Sequence, residues 1–114
     1  MMDARKLLDE QQRQIGKMAD SPIMQNFIKL CMQGYEVSTL DAKTNQLIIL
    51  AMTIAVNSSE AIILSHVEMY YKAGGNREDL VSALNLVILV AGGPGLAWAG
   101  VALDGYDQLA AANS

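Results

Sequence analysis

The sequence is poor in the residues on which much protein chemistry depends. Its single cysteine, Cys31, excludes an internal disulfide, and its single histidine, His66, excludes a cluster of histidine ligands around a metal. Aromatic residues make up only 5% of the chain, which leaves the interior to Leu, Ile, Val, Ala and seven Met. That mixture suits packed helices better than sheets. Positive charge is sparse and scattered, eight Lys and Arg against twelve Asp and Glu for a net charge of -4, so nucleic acid is not an expected partner. Sustained alternation of apolar and polar residues is also missing, so no strand is expected and the fold class is all-α. The opening stretch MMDARKLLDEQQRQ is too polar for a signal peptide, and with the lone cysteine it predicts a cytoplasmic protein.

What is present is apolar helix. Hydrophobic residues reach 52%, and residues 80–103 carry no charge at all, a run long enough to cross a bilayer. The GGPG in its middle, the acidic flanks Glu78, Asp79, Asp104 and Asp107, and the lack of an adjacent Lys or Arg cluster predict instead two buried helices meeting at a tight break, with no membrane as partner. The helical pattern covers residues 3–19, 22 to about 34 after the Ser21-Pro22 start, 41–56, 58–73, 76 to the GGPG break, and 94 to about 109. This gives about six helices in one domain, 1–114, with helices of residues 1–37 preceding a core of residues 38–110. Cys31 reads as a small buried hydrophobe on the stripe of Ile23, Phe27 and Leu30. The third, fifth and sixth helices are apolar over more of their circumference than a monomer this small covers, so a homo-oligomer is expected.

Candidate chemistry centres on SSEAIILSH, residues 58–66. Ser59, Ile62 and His66 fall at intervals of three or four and share one helix face. A serine hydrolase is excluded, because Ser59 and His66 are two turns apart, roughly 10 Å by helical rise, and no G-x-S-x-G turn exists. Metal binding is not expected, since Glu68, two positions on, points to the opposite side of the helix from His66. Gln46, Thr53 and Asn57 are the polar residues of the third helix. Facing His66 they would form a polar site inside an apolar bundle, and facing solvent they would not. The GGPG turn, with Gly93 and Pro94, brings nearly bare backbone to the surface of any pocket there, while Trp98 either walls such a pocket or fills the core.

The order of LDAKTNQL, SHVEMYYKAGG, NREDLVSAL and AGGPGLAW across residues 38–103 resembles the carboxymuconolactone decarboxylase and alkylhydroperoxidase D-like superfamily. The resemblance implies an alkylhydroperoxidase D-like helical bundle that forms trimers or hexamers. In the peroxidase-like branch a Cys-x-x-Cys pair precedes the histidine and a glutamate feeds it protons; those places fall here on Ser59, Ile62 and Gln46. A dithiol centre needs two sulfurs, so thiol peroxidase and disulfide reductase activity are not expected. The decarboxylase branch implies a cofactor-free lyase acting on a small carboxylated lactone or organic acid. His66, with Gln46, would move the proton, and Ser59, Ile62, Thr53, Gly93, Pro94 and Trp98 would shape the pocket. The alternative is a non-catalytic or small-ligand-binding homo-oligomer in which His66 is structural. The cations that could hold an anionic substrate are Lys43, Lys72 and Arg77.

Overall fold

A computed structural model describes residues 4–114, and the described chain is helical with no strand. It divides into two compact units, Met1–Asp41 and Ala42–Ser114.

The first unit holds α1 (Ala4–Gly16) and α2 (Pro22–Val37). On α1, Arg5 pairs with Asp9, and Glu10 with Arg13 and Gln14, all at intervals of three or four and exposed. Ser21 caps α2 by accepting from the Met24 N–H at 3.3 Å, and Pro22 takes the first helical position. The helix then runs past Gly34 to Val37, three residues beyond the expected stop. No residue of α2 is buried, and Cys31 is exposed together with Ile23, Phe27 and Leu30. The expectation of a buried cysteine is thus corrected: the stripe it belongs to lies open.

The second unit holds α3 (Ala42–Ala55), α4 (Glu60–Lys72) and α5 (Arg77–Ala112), which all pack on one another. Its core is Leu50 and Ile54 from α3, Ile63, Val67 and Tyr70 from α4, and Leu80, Leu84, Ala102 and Tyr106 from α5. Each large aliphatic side chain buried in this way contributes about 1.5–3 kcal/mol. Asn57, at φ 57°, ends α3 in the left-handed region. The Ser58 N–H reaches the Thr53 carbonyl (2.9 Å) and the Asn57 N–H reaches Ile54 (3.0 Å), which closes the helix end. Gly74, at φ 89°, ends α4 the same way, with Gly75 N–H bonded to the Tyr70 carbonyl at 3.0 Å.

Five elements appear where six were expected, because residues 77–112 form one element interrupted only at Gly92 (φ 67°, ψ -144°). Those angles are open to glycine alone. The interruption is a reversal. Arg77 at one end and Asp107 near the other form a bidentate ion pair, Nε to Oδ1 at 2.8 Å and a terminal nitrogen to Oδ2 at 3.1 Å. Thirty residues of straight helix would hold them about 45 Å apart. The element is therefore a hairpin of two arms, as the GGPG break predicts. By length and composition it is the one helix among the described residues apolar enough to cross a membrane, but its fold back at Gly92 removes the straight span.

Candidate functional site

His66 stands on the second turn of α4, half-buried, and faces α3. There the buried side chain of Gln46 meets it, with Oε1 3.1 Å from the imidazole Nδ1. The two residues lie twenty positions apart and are brought together by the packing of α3 on α4. Leu50 and Ile54 on α3, and Ile63 and Val67 on α4, are buried around this contact and fix both helices in register.

Electrostatics follow from the geometry. Burial pushes the imidazole below its ordinary pKa, because the charged form loses water that the surroundings do not replace. No charge compensates: the Gln46 side chain is neutral, where a carboxylate would hold the imidazolium. With the amide oxygen as acceptor, Nδ1–H donates to Gln46 and the lone pair stands on Nε2. In this tautomer Nε2 is the nitrogen that takes or returns a proton.

The other residues proposed from sequence take different places. Ser59 is the N-cap of α4, and its hydroxyl accepts from the Ile62 N–H at 3.2 Å, so these two residues are tied to each other at the helix start. Thr53 bonds within its own helix, its hydroxyl donating to the Leu50 carbonyl at 2.7 Å. Asn57 accepts the indole N–H of Trp98 and so fastens the end of α3 to the second arm of α5. Gly93 and Pro94 are exposed at the hairpin tip, and Trp98 is half-buried against the core. Of the candidate cations, Arg77 is committed to Asp107 and Lys72 reaches Glu68 at 3.5 Å. Lys43 stands one turn before Gln46 on the same stripe of α3.

Sequence reasoning missed the pairing of Trp98 with Asn57. The signal was Asn57 itself, a residue that tolerates the left-handed conformation, standing immediately before the SS pair that starts α4. It also missed two tyrosines that fasten the α4–α5 turn: Tyr70 Oη donates to the Asn76 carbonyl (2.7 Å) and Tyr106 Oη to the Gly75 carbonyl (2.9 Å). Among the described residues no group of three or more His, Cys, Asp or Glu comes together as a metal site.

An all-helical unit with one histidine set against a glutamine across two core helices is the class of protein defined here. Comparison with family models is specific: the model of the carboxymuconolactone decarboxylase family matches residues 22–104, most of the chain. The chain belongs to that family, as a member without the cysteine pair. No curated protein and no solved structure matches it significantly.

Proposed function

We propose that this protein is a cofactor-free proton-transfer enzyme of the decarboxylase type, acting on a small carboxylated or lactone-like substrate with His66 as its acid–base group. The observation that carries the reading is the 3.1 Å contact between His66 Nδ1 and Gln46 Oε1. It supplies an imidazole that is neutral near pH 7 and presents Nε2, the form suited to accept a proton and give it back. In a decarboxylation the carboxylate leaves as CO2, its bonding pair passes into the conjugated carbonyl, and the resulting enolate takes a proton at carbon. Water supplies that proton: His66 Nε2 takes it as water becomes hydroxide, delivers it to the carbon, and ends neutral as it began. Family membership and the missing dithiol both favour this chemistry over peroxide reduction. Lys43, on the Gln46 stripe, is assigned to the substrate carboxylate.

The test is a turnover screen over carboxylated lactones and related small acids, read by CO2 release and by loss of the substrate's ultraviolet absorbance. His66→Ala is expected to lower kcat at least a hundredfold, the ordinary range for losing a general acid or base. Lys43→Ala is expected to raise KM more than it lowers kcat. A His66→Ala variant that turns over as fast as the wild type would remove the proposal.

A further inference from the structure

The surroundings of His66 differ from one end of the site to the other. Helices α3 and α4 are joined by four residues, 56–59, and pack on each other, so they run antiparallel. Lys43 stands three residues before Gln46 on α3, and Ile62 stands four residues before His66 on α4. Because the helices run in opposite senses, these two residues lie on opposite sides of the Gln46–His66 contact, about 10 Å apart in level along the helix axes. Both are exposed. The site is thus cationic at one end and aliphatic at the other. Given the acid–base role proposed for His66, on which this depends, we propose that the substrate is a monoacid with a hydrocarbon arm. Its departing carboxylate lies toward Lys43 and the arm lies over Ile62, which selects against a second carboxylate.

The charges of the unit Ala42–Ser114 follow the same division. Its three cationic side chains all fall at one end, since Lys43 opens α3, Lys72 closes α4 and Arg77 opens α5. Arg77 forms its bidentate pair with Asp107 and Lys72 reaches Glu68 at 3.5 Å. Among the described residues Lys43 is the one of the three without a carboxylate partner. A second carboxylate directed to the Ile62 end would meet none of these cations. Amide hydrogens at the start of a helix can serve an anion, but at the start of α4 the Ile62 N–H already donates to the Ser59 hydroxyl at 3.2 Å, and the Glu60 carboxylate stands in the same turn. Glu60 would also repel an incoming anion. The Thr53 hydroxyl, toward the same end of α3, donates to the Leu50 carbonyl at 2.7 Å. An anionic arm over Ile62 would therefore lose water without a partner to replace it, whereas a hydrocarbon arm gains from the apolar surface it covers.

The test compares two γ-lactones that carry the departing carboxylate on the carbon next to the ring carbonyl and differ only in their arm, propyl in one and carboxyethyl in the other. The full chain is expected to turn over the propyl compound with a kcat/KM at least about tenfold higher, the discrimination that one changed group in a pocket supports. Ile62→Lys places a cation at the arm end and should equalise or invert that preference. Ile62 is 38% exposed, so the new ammonium reaches water, and an unaltered His66 imidazole resonance verifies folding. Met69→Lys adds the same charge to an exposed position one turn past His66, at the Lys43 end, and should leave the preference unchanged. The wild-type preference itself requires no variant. A propyl compound that is not turned over, a carboxyethyl compound turned over as fast with His66 required, an Ile62→Lys variant that keeps the wild-type preference, or a Met69→Lys variant that shifts it as far as Ile62→Lys would each overturn the monoacid assignment while leaving the role of His66 to its own test. Turnover that survives His66→Ala would overturn both.

Discussion

At the scale of single residues, the function proposed depends on keeping one imidazole neutral. His66 has a pKa below its ordinary value of about 6.5 because burial penalises the cation. The unfolded chain therefore binds a proton that the folded chain does not, in the window between the lowered value and about 6.5. Stability from this group is complete above pH 6.5 and is lost as the pH falls through that window. Denaturant melts from pH 7 downward should show the loss in the wild type, and a His66→Gln variant should lack that component. Gln46→Glu is the converse change: it places a carboxylate beside Nδ1, and the pKa should rise from below to above the ordinary value. If the acid limb of the activity profile follows the imidazole in both proteins, His66 works as a base. Much of this pair was legible in the sequence, because Gln46 and His66 each occupy a marked place in the motif order. Thr53 and Asn57 were not legible, since a hydroxyl satisfied three residues back and a helix-ending asparagine look the same in sequence as polar groups aimed at a site.

At the scale of elements, two turns decide whether α3, α4 and α5 can present that pair. Gly75 sits against the ring of Tyr70, where an added Cβ would fall 2.2–2.5 Å from ring carbons. Tyr70 is fully buried and tied through its hydroxyl, so it cannot yield. Gly75→Ala should cost about 1–3 kcal/mol in denaturant unfolding, the usual range for overpacking. Gly92→Ala should cost about 1–3 kcal/mol as well, by strain at φ 67°. Trp98 is the only tryptophan, so its fluorescence reports the second arm of α5 directly. Asn57→Ala removes both the left-handed cap and the indole bond; a red-shifted emission and a loss of about 1–2 kcal/mol are expected. A tryptophan unmoved by that change would mean the bond does not hold the arm. The caps at Ser21, Ser59 and Asn76 and the break at GGPG were all legible, because Ser, Asn, Pro and Gly act locally. That the break is a full reversal was not, because contacts between residues some thirty apart, Arg77 with Asp107 and Gly75 with Tyr106, set the angle between the arms.

At the scale of the whole molecule, the main cluster of buried side chains lies within Ala42–Ser114, with Ala4 and Leu8 buried on α1, while α2 and the first arm of α5 leave apolar side chains open. The excess of apolar surface was visible in the sequence as helices with almost no polar face, and exposed Leu86, Leu89 and Val90 give it a location on α5. A substrate that binds the folded chain should also raise its thermal midpoint, by about 2.7 kcal/mol of added stability at a hundredfold excess over Kd.

The account rests most directly on the protonation of one ring, and the chain makes that ring easy to observe because His66 is its only histidine. The measurement is a nitrogen-15 NMR titration of the imidazole in the full chain. The account predicts a proton on Nδ1, a lone pair on Nε2, a pKa below 6.5, and a displacement of the Nε2 signal by a carboxylated lactone that is turned over. A proton on Nε2 with Nδ1 accepting from the Gln46 amide, or a pKa above 6.5, would contradict it.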